Sequence, residues 1–255
     1  MAAEFPAQRT AVVTGVGAPR GIGRVVARRL AREGWSLGLV DISAPGVAEI
    51  TEELQATGAQ VVGAAADIAS PESVAAAFAL FDADLPPVVG LVNLAGIANP
   101  TPLLEITLEE WNRTMAVNAT GSLLMIQAAA RRMVEVGVGR IVNTSSITAV
   151  DGGGTFSKSA YAAAKAAVLG LTRGAARELG PHGITANAIL PGPVDTDIMG
   201  GALTDERKAA MSAGIPVGRV GSPADIAAMV SFLLSEDAGF VSGASYQVDG
   251  GKHIN

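Results

Sequence analysis

The stretch Thr14-Gly-Val-Gly-Ala-Pro-Arg-Gly-Ile-Gly23 decides the fold, because it joins a short apolar run to a helical pattern. Residues 10–14 before it read as a buried strand, and residues 21–33 after it read as a helix rich in Arg and Ala. Glycines let a backbone approach a phosphate closely, and a helix N-terminus offers free N–H groups and a favourable dipole. The stretch therefore predicts a pyrophosphate-binding turn. A glycine-rich turn without a ligand is the alternative that a lone motif leaves open.

The same alternation of apolar runs and helical patterns continues along the chain. The predicted strands are 10–14, 36–40, 60–65, 88–93, 139–143, 184–189 and 245–248. The predicted helices lie near 21–33, 44–57, 71–81, 107–134, 158–179 and 223–234. Several strands are continuous runs of Val, Ile, Leu and Ala, which is typical of strands buried on both faces. No polar linker interrupts the pattern, so we predict one α/β domain over 1–255: a doubly wound parallel sheet of about seven strands with helices on both faces.

Composition narrows the classes of function. Of the 255 residues, 49% are hydrophobic and 16% are charged, which supplies a large core and argues against disorder. The 18 basic and 24 acidic residues give a net charge of −6, which disfavours a nucleic-acid partner. Without cysteine, and with only His182 and His253 far apart, no metal site is expected.

The chain shows no targeting pattern. Its first residues, Met-Ala-Ala-Glu-Phe-Pro, lack the basic and then apolar order of a signal peptide. No uncharged apolar run reaches the roughly 18 residues that span a bilayer. We therefore expect a cytoplasmic protein without a membrane partner.

Asp41 closes the second predicted strand, in Ser-Leu-Gly-Leu-Val-Asp. A carboxylate at this position can accept hydrogen bonds from the adenosine ribose hydroxyls and would repel a 2′-phosphate. A helix cap or a solvated turn residue is the alternative role. Arg20 points the other way, because a cation near the ribose would hold the phosphate of NADP. We predict NAD as the cofactor, with NADP as the alternative.

Tyr161 and Lys165 lie four residues apart in Ser159-Ala-Tyr-Ala-Ala-Ala-Lys165. A helix places such a pair on one face, one turn apart. A free phenol titrates near pH ~10, and a neighbouring ammonium lowers that pKa toward the range useful for acid–base chemistry. An exposed helix that carries both residues by chance is the alternative.

Taken with Asn93-Leu-Ala-Gly96, Asn118, Ser146 and Pro191-Gly192, the chain resembles the short-chain dehydrogenase/reductase family from residue 10 to residue 251. The resemblance implies a Rossmann-like fold. The family's glycine signature reads T-G-x-x-x-G-x-G, and here Thr14-Gly15 lies two positions farther upstream of Gly21 than that signature requires. Either Gly15 or Gly17 therefore fills the first glycine position.

The resemblance also implies the residues that bind the cofactor. Asp67 and Ile68 correspond to the pair that contacts adenine, and Val194 and Thr196 to the groups that hold the nicotinamide carboxamide. The full implied set is Gly15, Gly17, Arg20, Gly21, Ile22, Gly23, Asp41, Asp67, Ile68, Asn93, Ala95, Gly96, Tyr161, Lys165, Pro191, Gly192, Val194 and Thr196. Val248-Asp-Gly-Gly251 matches the family's closing strand and implies a structural role with a share in subunit contacts.

The implied catalytic residues are Asn118, Ser146, Tyr161 and Lys165. Asn118 would kink the long helix and hold a water in a proton relay. Ser146 is preferred to Ser145 because the second serine of such a pair usually fills the role. The gap from Ser146 to Tyr161 is slightly longer than the family's usual one. The extra length falls in residues 151–157, which should line the substrate pocket.

The resemblance implies reversible hydride transfer between NAD and a secondary alcohol or polyol, or the corresponding ketone. The first alternative is an NADPH-dependent 3-oxoacyl or ketone reductase, and the second is a non-catalytic NAD(H) sensor on the same fold. A substrate lid is expected near 197–215, with Asp151, Asn99 and Thr155 as polar contacts or as solvated loop residues. The helices at 107–134 and 158–179 carry apolar and small residues on more than one face, for which core burial is the alternative explanation. The resemblance implies that they pair across subunits in a homo-oligomer, with a tetramer as the expected state.

Overall fold

The computed structural model describes residues 4–154, 157–197, 201 and 203–254. Its centre is one seven-stranded sheet in the order β3-β2-β1-β4-β5-β6-β7, in which every pairing is parallel. The strands are β1 Thr10–Thr14, β2 Ser36–Asp41, β3 Val61–Ala65, β4 Val88–Asn93, β5 Gly139–Thr144, β6 Ile184–Pro191 and β7 Ser245–Val248. The predicted single-domain parallel sheet is confirmed.

Helices cover both faces of this sheet. They are α1 Ile22–Arg32, α2 Ala44–Gln55, α3 Pro71–Asp84, α4 Leu108–Met115, α5 Gly121–Val136, α6 Thr148–Asp151, α7 Ser159–Leu179, α8 Asp205–Ser212 and α9 Pro223–Leu234. Neighbouring residues of a strand belong to hydrophobic cores on opposite faces of the sheet. Val13 packs with α1, α2 and α9, whereas Val12 packs with α3 and α5. This double burial explains why the strands are continuously apolar instead of alternating.

The strand order reverses beside β1, because β2 and β4 lie on its two sides. In doubly wound sheets the crevice at such a reversal, beyond the carboxyl ends of the strands, is where ligands bind. The glycine-rich loop follows β1 at this edge, and the turns after β2, β4, β5 and β6 reach the same edge.

The predicted helix over 107–134 is wrong in one respect. It consists of α4, a π-helical turn at Ala116–Thr120, and α5. Asn118 lies in the π turn, and its Nδ2 donates to the carbonyl oxygens of Thr114 (2.9 Å) and Ile97 (3.0 Å). A π turn widens the helix by one residue per turn, and such turns are frequent at functional sites. Asn118, where a kink was expected, thus lies in a π-helical turn.

Two short helices were not predicted, α6 and α8. Helix α8 falls inside the segment expected to form a lid, of which residues 198–200 and 202 lie outside the described residues. Within the described ranges, no helix combines the length and apolarity needed to cross a bilayer. The same part of the chain holds no cluster of three or more His, Cys, Asp or Glu side chains able to bind a metal ion.

Candidate active site

Two glycines of the first loop are packed backbone against backbone. Gly15 has φ +77°, and a Cβ there would lie 2.8 Å from the Ala95 nitrogen. A Cβ on Gly23 would lie 2.2 Å from the Gly15 carbonyl oxygen, so no side chain fits at either position. Gly15 also lines the cleft that the loop borders. Of the two candidates for the first glycine, Gly15 lines the cleft and Gly17 does not.

Gly17 serves a different contact, with Asp41. The Gly17 N–H donates to Asp41 Oδ2 at 2.7 Å, and the Ser43 N–H donates to Oδ1 at 2.9 Å. A Cβ on Gly17 would lie 2.5 Å from Oδ1. The longer loop is thus held by the carboxylate at the end of β2. Asp41 reaches the cleft with its orientation fixed by two backbone donors.

Arg24, which the sequence analysis did not single out, anchors this loop from below. Its side chain is 2% exposed. Nε donates to Val16 O at 3.0 Å, and Nη2 donates to Gly17 O and Gly46 O, both at 3.2 Å, and to Glu49 at 2.8 Å. Arginine is rarely buried without such partners, and nothing in the local sequence signals this burial.

The turn after β4 is held by side chains of the neighbouring strands. Thr14 Oγ1 accepts from the N–H groups of Leu94 and Ala95, both at 2.9 Å. Asn93 Nδ2 donates to Asn143 Oδ1 at 2.9 Å inside the sheet. Asn93 was expected to contact the cofactor, but its buried side chain bonds between strands β4 and β5 and does not line the cleft. Its position supports the turn instead.

The cleft at the reversal point has a volume of about 680 Å³. Ten of the predicted cofactor residues line it: Gly15, Gly21, Ile22, Gly23, Asp41, Asp67, Ile68, Ala95, Gly96 and Thr196. Its charged lining, within the described residues, consists of Asp41, Asp67 and Asp197 against the single cation Arg113. The size and the glycine cradle fit a dinucleotide, and the acidic balance disfavours an extra phosphate on its ribose.

Arg20 points to the segment after β6. Its Nη2 donates to Asp195 at 2.6 Å, its backbone N–H donates to Asp197 at 3.1 Å, and its Nη1 lies 3.7 Å from Asp197. Asp195 also pairs with Lys208 of α8 at 2.7 Å. The Lys208 hydrogen bond, followed by those of the Leu203 N–H and Arg20, lowers the pKa of Asp195 to about 2. The guanidinium is thus engaged away from Asp41, the carboxylate with which it was expected to compete.

A second pocket, of about 510 Å³, adjoins the cleft and shares Ile22, Leu94, Gly96 and Thr196 with it. Ser146, Tyr161 and Lys165 line this pocket, and so do the predicted cofactor residues Pro191, Gly192 and Val194. Asn99 does not line it, because its Oδ1 accepts from the Thr101 N–H at 3.1 Å. Thr155 lies outside the described residues.

Tyr161 and Ser146 are joined by a hydrogen bond, which lowers the pKa of the phenol. Burial acts more strongly in the opposite direction and raises the pKa of Tyr161 to about 12. The expectation that Lys165 lowers this pKa is therefore wrong for the protein alone. The Lys165 ammonium lies 5.5 Å from the Tyr161 ring centre and donates to Thr144 O at 2.9 Å. Its own burial lowers the pKa of Lys165 to about 8.

The structure separates the two adjacent serines. Ser145 is buried, and its Oγ donates to the Lys165 carbonyl oxygen at 2.8 Å. Ser146 lines the pocket, bonds to Tyr161, and accepts from the Thr148 N–H at 3.1 Å. Both serines border the pocket, but the Ser145 hydroxyl is engaged by the Lys165 carbonyl oxygen, whereas the Ser146 hydroxyl is paired with Tyr161.

Asn118 leaves one buried atom without a partner within the described residues. Its Oδ1 has no hydrogen bond. A Cβ on Gly96 would lie 2.6 Å from this oxygen and 3.3 Å from Lys165 Nζ. A glycine at position 96 therefore lets an unsatisfied acceptor and an ammonium approach the same stretch of backbone. Buried polar groups in such a position are usually bridged by a water molecule.

Comparisons with known proteins give a consistent result. Residues 15–253 match a family model described as enoyl-(acyl carrier protein) reductase. The chain is 40% identical over 257 residues to an L-rhamnose 1-dehydrogenase (NAD(P)(+)) of Azotobacter vinelandii, which covers 97% of each chain. It is 37% identical over 247 residues to a 3-oxoacyl-[acyl-carrier-protein] reductase of Pseudomonas aeruginosa, which covers 97% of this chain and 98% of the relative. The crystal structure of a blue fluorescent protein from a metagenomic library in complex with NADPH superimposes with a TM-score of 0.88, at 40% identity, covering 97% of this chain and 98% of that one.

Proposed function

We propose, because this chain belongs to the short-chain dehydrogenase/reductase family of NAD(P)-dependent oxidoreductases, that it oxidises a secondary alcohol or polyol reversibly with NAD. The observation that carries the proposal is the meeting of Ser146, Tyr161 and Lys165 where the second pocket adjoins the dinucleotide cleft. A substrate in that pocket would lie between the acid–base residues and the cofactor.

Tyr161 is the proposed general base and Ser146 its partner. When bound, oxidised nicotinamide supplies the acceptor of the hydride that leaves the carbinol carbon, and a positive charge that favours the phenolate. Tyr161 takes the hydroxyl proton of the substrate, and Ser146 hydrogen-bonds the same oxygen. In the reverse direction Tyr161 returns the proton to the ketone oxygen.

Lys165 and Asn118 are the proposed route for that proton. Lys165 donates to Thr144 O, and both its ammonium and Asn118 Oδ1, which has no partner among the described residues, lie near the position that a Cβ on Gly96 would occupy. A water there would connect the ammonium to the amide and carry the proton onward. With a pKa of about 8, Lys165 can both hold and release a proton near neutral pH.

NAD is the proposed cofactor in preference to NADP. Asp41 is fixed in the cleft by the Gly17 and Ser43 N–H groups, and its neighbour Ile42 lines the cleft as well. A 2′-phosphate beside this carboxylate would meet like charge. Arg20, the cation that would offset the repulsion, is paired with Asp195.

NADPH-dependent reduction of a 3-oxoacyl group or ketone is the second candidate. The 37%-identical reductase of Pseudomonas aeruginosa and the NADPH-bound structural neighbour favour it. The three carboxylates of the cleft argue against it. A non-catalytic NAD(H) sensor is the third candidate. The pairing of Ser146 with Tyr161 argues against it, because a sensor has no evident need for such a pair.

The lid, the oligomeric state and the cellular location remain predictions. We propose that residues 197–215 form a lid, because α8 is tied to the segment after β6 by the Lys208–Asp195 ion pair. We propose a homotetramer, because apolar residues such as Leu108, Leu123 and Phe240 are exposed. Light scattering after size exclusion tests the assembly, and fractionation of native cells tests the proposed cytoplasmic location.

The central experiment is a panel of secondary alcohols, polyols and the matching ketones, assayed for formation or loss of reduced nicotinamide with NAD and NADP in parallel. Turnover with NAD that exceeds turnover with NADP supports the proposal. A preference for NADPH with 3-oxoacyl substrates would establish the second candidate instead. Tight NADH binding without turnover of any member would favour the sensor.

A further inference from the structure

The chain segment after β7 forms a tight turn whose backbone is fixed by Asp249. Its Oδ1 accepts from the Gly251 N–H at 2.9 Å, and its Oδ2 accepts from the His253 N–H at 2.8 Å. Gly250 and Gly251 have φ values of +69° and +81°, a conformation that residues with a side chain rarely adopt. Lys252 is carried by this turn.

The turn is packed against the second pocket. A Cβ on Gly192, which lines that pocket, would lie 2.5 Å from Asp249 Cβ. On its other side, Gly250 O accepts from the Val217 N–H at 3.1 Å, and a Cβ on Gly250 would lie 2.7 Å from Ile215. The backbone position of Lys252 is therefore set by close contacts on two sides.

Lys252 brings an unpaired cation to the pocket that contains Tyr161. Lys252 is one of the residues that line the pocket, and it is exposed, with its Nζ 3.9 Å from the position of a Cβ on Gly214. Its ammonium has no ion pair or hydrogen bond with any described residue. Apart from buried Lys165, the charged groups lining the pocket in the described ranges are Lys252 and Asp151, which do not pair with each other. Asp151 Oδ1 accepts from the Gly153 N–H at 2.8 Å, and its other oxygen remains as an acceptor.

From this arrangement, which rests on the proposed function, we propose that the substrate is a polyhydroxylated carboxylic acid. Lys252 binds its carboxylate, and Asp151 accepts from one of its hydroxyl groups, while a secondary hydroxyl lies at Tyr161 and Ser146. One ammonium matches the single charge of a carboxylate, whereas Asp151 would repel the second charge of a phosphate. Lys252 and Asp151 are thus specificity residues of the pocket.

The test compares aldonates with the alditols that differ from them only in carrying CH₂OH in place of the carboxylate. Gluconate and glucitol are one such pair, and gluconate 6-phosphate is the phosphate arm. The wild type should have a higher kcat/KM for the aldonates. Lys252→Met should lower kcat/KM for aldonates about 10- to 100-fold, through KM, because a hydrogen bond to a charged group is lost. Alditol kinetics should change less than about threefold.

Lys252→Arg should restore most of the aldonate activity, and Arg32→Met, which removes an exposed cation at the end of α1, should leave both activities unchanged. Equal effects of Lys252→Met on aldonates and alditols, or alditols preferred by the wild type, would overturn the inference. A preference for gluconate 6-phosphate over gluconate would overturn the assignment to a carboxylate.

Binding separates this inference from the proposed function. Gluconate is titrated calorimetrically into the Tyr161→Phe protein loaded with NADH, with and without Lys252→Met. If gluconate binding requires Lys252 but the wild type turns over no alcohol, the assignment of the pocket stands and the proposed function is refuted. If the wild type turns over alcohols but Lys252→Met does not change gluconate binding, the proposed function stands and this inference is refuted.

Discussion

The cleft proposed to bind the dinucleotide and the pocket proposed to bind the substrate are neighbours built in different ways. The cleft is walled by backbone at the strand ends, at glycines where no Cβ fits, and it is held from below by buried side chains such as Arg24 and Thr14. The pocket borders glycines as well, but it is also lined by residues outside the sheet that lie far apart along the chain, such as Asp151, Met211 and Lys252. A close contact between two backbone segments tolerates no side chain, whereas residues outside the sheet can change by single substitutions without disturbing it.

The two cavities also differ in charge. Three carboxylates and one guanidinium line the described part of the cleft, whereas two ammonium groups and one carboxylate line the described part of the pocket. The difference suits an unphosphorylated ribose on one side and an anionic substrate on the other. Substitutions in each cavity should therefore affect different kinetic constants.

The largest expected difference between the two cavities is in Tyr161→Phe, which removes the proposed base from the pocket and leaves the cleft intact. We expect kcat to fall by about 10²–10⁴-fold or more, because general base catalysis contributes that much. NADH affinity, measured by fluorescence titration, should change little. Tyr246→Phe, at the only other tyrosine, is the matched control. Activity within a few-fold of wild type would refute the role of Tyr161.

Substitutions of the two adjacent serines test whether Ser146 has a catalytic role and Ser145 a structural one. Ser146→Ala should lower kcat about 10²–10³-fold, as for the loss of one catalytic hydrogen-bond donor. Because the Ser146 hydrogen bond lowers the pKa of Tyr161, its loss should also move the acidic limb of the pH–rate profile for alcohol oxidation to higher pH. Ser145→Ala should cost about 1 kcal/mol of stability, since it removes a buried hydrogen bond, and keep kcat. The reverse pattern would reassign the catalytic serine to Ser145.

Gly23→Ala tests the cleft in the same way. The new Cβ would meet the Gly15 carbonyl oxygen, so the loop must shift. We expect the KM for NAD to rise about 10²-fold, by analogy with small displacements of binding groups, along with a lower melting temperature. Gly170→Ala, at a helical glycine with no atom near its Cβ position, should leave NAD kinetics unchanged and raise stability slightly. Unchanged NAD kinetics in Gly23→Ala would show that this loop does not bind the pyrophosphate.

Asp41→Asn addresses the charge of the cleft. Removing the carboxylate should raise the ratio of NADP to NAD efficiency about 10-fold, because the like charge opposite a 2′-phosphate is gone. Parallel kinetics with both cofactors give the ratio. A wild type that already prefers NADP, or a variant with an unchanged ratio, would contradict the proposed role of Asp41.

The smallest expected effect is the dependence of stability on pH. The folded pKa of Lys165, about 8, lies below the unfolded value near 10.5, so between these values the unfolded chain binds more protons. Stability should therefore rise with pH above 8, by about 1–3 kcal/mol. Tyr161, with its raised pKa, acts in the opposite direction only above pH 10. Urea unfolding at several pH values measures the rise, which Lys165→Met should abolish; the same slope in the variant would exclude Lys165 as its source.

Much of the fold could be predicted because the strands are short apolar runs that must be buried on both faces. The π turn at Ala116–Thr120 and the short helices α6 and α8 could not be predicted. Their hydrogen bonds and packing partners come from distant segments, as in the donation from Asn118 Nδ2 to Ile97 O, so local pattern carries little signal for them.

Part of the site followed from local spacing, and part did not. Tyr161 and Lys165 share one helix face, so their proximity could be read directly. The partners of Arg20 could not, because Asp195 is 175 positions away along the chain. Arg24 beneath the loop and Lys252 at the pocket were missed for the same reason.

The sequence by itself determined the parallel sheet, the glycine cradle and the helical pair Tyr161–Lys165, because each depends on residues close together along the chain. Only the tertiary structure decided which serine pairs with Tyr161, where Arg20 points, and that burial sets the pKa of Tyr161. Those outcomes depend on which distant groups surround a side chain and how much water they exclude, and the packing of the whole sheet and its helices fixes both.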